Sequence, residues 1–149
     1  LDWAYCNKVR DLWDGKIVVK GITSEEDFEK CVEFGFDAVY ISNHGGRQFD
    51  GGDSSLNSLC AISKLNREGV RIIYDGGVRN GLDVLKAIAL GADFVMLGRA
   101  FMYGVGANYK YGPSEVYNIL ISDMKINMAQ IGITELSELS GKIMKYDDI

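Results

Sequence analysis

Four short β-branched, apolar runs alternate with segments that carry helix signals, and this alternation limits the fold more than any other feature of the chain. The runs are Lys16–Lys20, Asp37–Ile41, Val70–Tyr74 and Asp93–Leu97. Thr23-Ser24-Glu25-Glu26-Asp27 is a helix start, with a hydroxyl N-cap and acids in the first turn. That helix is expected to reach about Phe34 and stop at Gly35. Further helices are expected over Ser54–Asn66 and Leu82–Leu90, the latter stopped by Gly91. A first helix over Asp2–Trp13 is broken by Asp14-Gly15. A last one runs from Pro113, a first-turn residue, to about Gln130. The tail from Ile133 to Ile149 is expected to hold a short helix.

Strands starting near residues 16, 37, 70 and 93 repeat at roughly 25 residues, the length of a βα unit. Such alternation implies a parallel sheet covered by helices. The polar clusters Lys20, Ser42–Arg47, Asp75–Arg79 and Gly98-Arg99 all fall at carboxyl ends of strands, where α/β folds place their chemistry. A spread over four consecutive strands favours an eight-stranded TIM (β/α)8 barrel over a doubly wound sheet. That barrel takes about 250 residues. With 149 residues, the chain supplies four βα units. The expectation is therefore one partial barrel domain over residues 1–149. A half-barrel leaves two open sheet edges and an uncovered inner face.

Composition narrows the class. Apolar residues make up 47% and charged residues 25%, as in a soluble globular domain. The net charge of −5 argues against bulk nucleic-acid binding. No apolar run approaches the ~18 residues of a membrane span. The start has neither a signal-peptide pattern nor a Met, from which residues upstream are expected. Cys6, Cys31 and Cys60 show no metal-ligand spacing, so no metal site is expected and the thiols read as free.

Four strand ends carry candidate chemistry. The chain's single histidine, His44, follows a strand and precedes Gly45-Gly46-Arg47. One reading is a hydrogen-bonded structural imidazole. The other is a general base beside a guanidinium that holds a carboxylate. Asp50 could orient that imidazole. Asp75-Gly76-Gly77-Val78-Arg79 is either a tight βα turn with a solvated arginine or a phosphate cradle of backbone N–H groups, helix amino terminus and Arg79. Gly98-Arg99 after the next strand favours the cradle, because barrel phosphate sites use two successive loops. Lys20 either reaches solvent or sits against an electron-rich cofactor ring.

Taken together, these runs resemble a known family. They are Lys20-Gly21-Ile22, Ser42-Asn43-His44-Gly45-Gly46-Arg47-Gln48-Phe49-Asp50-Gly51, Asp75 to Val84, Ala89-Leu90-Gly91-Ala92 and Leu97-Gly98-Arg99. In this order they are similar to the carboxyl-terminal half, strands five to eight, of FMN-dependent α-hydroxy-acid dehydrogenases and oxidases. The resemblance implies FMN as cofactor and oxidation of an L-2-hydroxy acid, lactate-like, to the 2-oxo acid. It implies that Lys20 stabilises the reduced flavin and that Ser42 lies in the flavin site. His44 would be the base and Arg47 the clamp for the substrate carboxylate. Asp75, Gly76, Gly77, Val78, Arg79, Gly98 and Arg99 would hold the ribityl and phosphate portion. Asn80 stands where many members have a second arginine. That residue, Asp14-Gly15 and Gly51 to Ser55 are most like bacterial L-lactate dehydrogenases. The resemblance also implies a partner, the amino-terminal half-barrel, and a homo-oligomeric full-length form. It places that form in the cytoplasm, with inner-membrane association in the quinone-linked branch. The alternatives are a catalytically silent half-barrel that binds a phosphate ligand or partner half, and another phosphate-binding flavin barrel.

Overall fold

The computed structural model describes residues 2–140 and 142. Strands β1 (Val18–Ile22), β2 (Ala38–Ile41), β3 (Arg71–Tyr74) and β4 (Phe94–Val95) form one parallel sheet in the order of the chain. Helix α1 (Trp3–Leu12) precedes them. Helices α2 (Glu25–Glu33), α3 (Ser55–Ile62) and α4 (Gly81–Ala89) connect successive strands, and α5 (Arg99–Ala107) and α6 (Gly112–Gln130) follow β4. The sheet order never reverses, as it would at the switch point of a doubly wound sheet.

All the connecting helices pack on one face. Val39, Ile41, Ile72 and Tyr74 point into a core shared with Phe28 and Cys31 of α2, Leu59 and Ile62 of α3 and Ala87 of α4. The alternate residues of each strand face the other way. On that side Val18 of β1 and Phe94 of β4 are exposed at 45% and 59%. This is the apolar inner face expected of a barrel sector.

The helix starts follow their sequence signals. Ser24 Oγ, Ser54 Oγ and Asn80 Oδ1 accept the N–H groups of Asp27, Asn57 and Asp83. Boundaries shift elsewhere. The first strand lies two residues later than expected, so Lys20 sits within β1. Gly21 makes a bulge rather than an end: its φ is +97°, and the register steps from Lys20 opposite Tyr40 to Ile22 opposite Ile41. Helix α3 stops at Ile62 rather than Asn66, and β4 is shorter than Asp93–Leu97. In the tail, one helical turn forms at Leu136–Leu139. The rest of that expectation, at 141 and 143–149, lies outside the described residues.

One helix was not legible in the sequence. No element is expected between Gly98-Arg99 and Pro113, yet Arg99–Ala107 is helical. It has no side-chain N-cap, and two glycines lower its propensity. Packing supplies the reason for one of them, Gly104, which meets Gly112 at the crossing of α5 and α6.

The amino-terminal ends of the strands are tied by two equivalent aspartates, in Gly35-Phe36-Asp37 and Gly91-Ala92-Asp93. The Ile17 and Ile72 backbone N–H groups donate to Asp37 Oδ2 and Asp93 Oδ2, both at 2.8 Å. Arg10 and Lys16 pair with Asp37, and Arg67 and Arg71 pair with Asp93. The Lys16 ammonium, followed by the Ile17 N–H, lowers the Asp37 carboxyl from 3.8 to about 2. A carboxyl lowered on folding stabilises above its unfolded pKa, and that contribution fades as pH falls through the folded value. Urea unfolding should therefore show wild type more stable than Asp37→Asn at pH 6. The gap should close between pH 4 and pH 2, the window those two values set. A gap unchanged at pH 2 would contradict the assignment.

Candidate active site

The carboxyl ends of β1, β2, β3 and β4 open onto a cleft of about 710 Å³. Lys20, His44, Arg47, Asp75 to Arg79, Gly98 and Arg99 all line it. The structure thus brings together every site residue expected from the sequence except Ser42, which is buried just behind the wall. Ser42 and His44 share an adjoining recess with Lys20.

The His44 loop is a left-handed turn. His44, Gly45 and Gly46 have φ of 56°, 66° and 75°. Glycine takes such values freely, whereas histidine is held there at a cost of about 1–2 kcal/mol. The local hydrogen bonds impose the turn. Ser42 Oγ accepts the His44 N–H at 3.1 Å, and Asn43 Oδ1 accepts the Gly45 N–H at 3.0 Å. Asn43 is itself fixed, since its N–H donates to Ser55 Oγ at 3.0 Å. Asp50 makes no hydrogen bond to His44 among the described residues. Its carboxylate packs against Gly46, so the expected orienting role is not formed here.

Ser42 joins two functional groups. Its Oγ also accepts from Lys20 Nζ at 2.7 Å, so one buried hydroxyl ties the lysine to the histidine's backbone. Lys20 Nζ stands 3.5 Å from Asp75 Oδ2. Asp75 Oδ1 is buried and has no hydrogen-bond partner among the described residues. A buried, unpaired carboxylate oxygen is costly. A hydroxyl-bearing ligand in the cleft would satisfy it.

The two helix amino termini beside the expected cradle differ in their occupancy. The amino terminus of α4 is already occupied. Asn80 caps it, and Asp123 of α6 accepts the N–H groups of Gly81 and Leu82 at 2.7 and 3.3 Å. At the amino terminus of α5, Gly98 is the N-cap and no side chain among the described residues caps it. A Cβ at Gly98 or Gly77 would meet nothing within 4 Å, so both backbones border open space. The positive end of the α5 dipole, Arg79 and Arg99 therefore converge on the cleft. Arg47, Arg79 and Arg99 make no ion pair among the described residues. The cleft carries three guanidinium groups for an anion to neutralise.

Two contributors escaped the sequence reading. Tyr40 lies beneath Lys20, and Ser55 secures Asn43. Tyr40 was detectable by parity, because it stands two residues before Ser42 and so shares its face. Ser55 offered no local signal.

A parallel βα sector thus gathers a histidine, three arginines, a lysine and a helix amino terminus around one cleft. The chain belongs to the FMN-dependent dehydrogenase family, whose model matches residues 1–146. Among solved structures, an (S)-mandelate dehydrogenase described as a monotopic membrane protein is 39% identical, with a TM-score of 0.90 over 97% of this chain and 38% of that one. A soluble mutant of the membrane-associated enzyme of Pseudomonas putida is 40% identical, with a TM-score of 0.88 over 95% and 40%. A mandelate oxidase mutant solved with benzaldehyde is 34% identical, with a TM-score of 0.88 over 93% and 42%. The chain spans about two fifths of these relatives' length. The sheet is accordingly a partial TIM barrel, as the alternation of elements implied. FMN is the cofactor of this family. These relatives are mandelate enzymes, whereas the sequence motifs pointed to the lactate branch.

Proposed function

We propose that this chain carries the base, the substrate clamp and the phosphate end of an FMN-dependent enzyme that oxidises an L-2-hydroxy acid to the 2-oxo acid. An amino-terminal half-barrel would complete its active site. The observation that carries the reading is the convergence of His44 and Arg47 with Lys20 and the Asp75–Arg79 cradle on one cleft.

The residues present fit the cofactor. The α5 amino terminus, Arg79 and Arg99 suit its phosphate, and Asp75 Oδ1 suits a ribityl hydroxyl. When bound, FMN supplies the two-electron acceptor. Arg47 holds the substrate carboxylate as a two-pronged donor. His44 accepts the proton that leaves the hydroxy acid, from its α-carbon or its hydroxyl. Lys20 sets a positive charge beside the place where negative charge gathers. Lactate fits the motif reading, and mandelate fits the names of the solved relatives.

Among the described residues no helix is long and apolar enough to cross a membrane. We place the full-length form in the cytoplasm as a homo-oligomer, with peripheral attachment to the inner membrane; the description of one relative as a monotopic membrane protein supports the attachment.

Flavin titration of the chain, alone and mixed with the amino-terminal half of a mandelate dehydrogenase, tests the proposal. Weak FMN binding alone is expected, with turnover of L-lactate or (S)-mandelate only in the mixture. Absence of flavin-dependent turnover in a folded mixture would overturn the enzyme reading. Tight flavin and turnover by the chain alone would overturn the need for a partner half. Arg99→Met should weaken FMN by about 10- to 100-fold, the range for a hydrogen bond to a charged group. It should leave riboflavin, which lacks the phosphate, unchanged. Equal losses for the two ligands would move Arg99 out of the phosphate site.

A further inference from the structure

Tyr40 has no role in the scheme above, yet the lysine of the site rests on it. Lys20 and Tyr40 stand directly opposite one another in the β1–β2 ladder. Both project from the sheet face that the helices leave uncovered. Lys20 Nζ lies 4.4 Å from the centre of the Tyr40 ring, within range of a cation–π contact. The same ammonium donates to Ser42 Oγ and pairs with Asp75, so three neighbours fix one nitrogen.

Lysine needs such support. Its four-carbon stem is flexible, and its side chain here is 47% exposed. Ser42 and Asp75 engage the ammonium through its protons. Tyr40 adds an apolar face that limits where the stem can swing. Tyr40 also adjoins the other half of the ion pair: burial first, and then the nearby Asp75 carboxylate, raise its hydroxyl pKa and keep it protonated. Among the described residues Asp75 Oδ1 accepts no hydrogen bond, whereas the face of the Tyr40 ring lies against the Lys20 ammonium.

We propose that Tyr40 is a positioning residue whose ring holds the Lys20 ammonium at the mouth of the barrel sector, where it would face a bound flavin. The use of that ammonium rests on the function proposed above. Its placement by Tyr40 does not.

The experiment compares Tyr40→Phe, which keeps a ring, with Tyr40→Ile and Tyr40→Leu, which do not. The full chain is treated with an amine-acetylating reagent without flavin, and acetylation is followed peptide by peptide. The exposed Lys8 serves as internal reference. Loss of the ring should speed Lys20 acetylation about threefold or more, and Tyr40→Phe should stay near wild type. Two non-aromatic variants guard against one failing to fold, which far-ultraviolet circular dichroism reveals. A second readout is FMN affinity in a double-mutant cycle with Lys20→Met. Removing the ring should weaken FMN about threefold beside Lys20 and have no effect beside the methionine. Unchanged acetylation in the non-aromatic variants, equal acceleration in Tyr40→Phe, or additive effects in the cycle would overturn the proposal. Failure of wild type to bind FMN at all would overturn the functional reading instead, and the acetylation arm would still decide the role of Tyr40.

Discussion

Replacing His44 with glycine should lower kcat/KM for the hydroxy acid by about 100- to 10,000-fold in the enzyme completed with its amino-terminal half. The same change should leave stability within about 1 kcal/mol of wild type. Both halves of the expectation come from one backbone angle. His44 holds a φ of 56°, where a side chain is unfavourable and glycine is at ease. Relief of that strain offsets the extra freedom glycine gains in the unfolded chain. His44 is kept at an unfavourable φ and lines the cleft, and its ring makes no hydrogen bond among the described residues, so a chemical role is expected rather than a packing one. The measurements are steady-state kinetics, FMN titration and urea unfolding on the same preparation. FMN affinity should change less than twofold, since the cradle lies on β3 and α5. A glycine variant that loses stability sharply, or keeps its activity, would return His44 to a structural role.

Gly112→Ala should cost about 3 kcal/mol or more, at or above the top of the range for added core volume. Helices α5 and α6 cross with the Gly104 and Gly112 backbones in contact. A Cβ on Gly112 would fall on the Gly104 carbonyl oxygen, and one on Gly104 would lie 2.8 Å from the Gly112 carbonyl oxygen. A carbonyl cannot swing aside as the end of a side chain can, so the helices must part. Against a total stability of about 5–15 kcal/mol, that is a large fraction. The effect should reach the site as well, because α5 carries Arg99 at its amino terminus. FMN affinity should fall along with the urea midpoint. Gly106 is the control: it lies in α5, two residues beyond Gly104, with nothing within 4 Å of a Cβ. Gly106→Ala should be neutral or stabilising by up to ~1 kcal/mol, as expected from helix propensity. Equal costs at the two positions would show that the close crossing is not what requires glycine.

Most of the architecture was legible because it rests on local signals. Ser24, Ser54 and Asn80 cap helices as their residue types suggest. The apolar runs became strands because each was short, β-branched and closed by a turn. What failed depended on contacts distant in sequence. Helix α5 has no local start signal, and its Gly104 is explained only by the helix it meets. The amino terminus of α4 follows the Asp75–Arg79 glycines directly, yet Asp123, some forty residues away, accepts its first N–H groups, a contact that amino-acid order does not show.

The site divides in the same way. Lys20, His44, Arg47 and the Asp75–Arg79 run were visible in the amino-acid order, because turn chemistry and strand ends are written in neighbouring residues. So was the sheet, since strict βα alternation admits few topologies. Only the tertiary structure showed that His44 sits in a strained left-handed turn, that one hydroxyl of Ser42 ties it to Lys20, and that Tyr40 lies under that lysine. The two contacts of Lys20 are relations across strands that lie some twenty residues apart in the chain. Their strength depends on distances of a few ångströms, and amino-acid order does not encode those until the sheet has set its register.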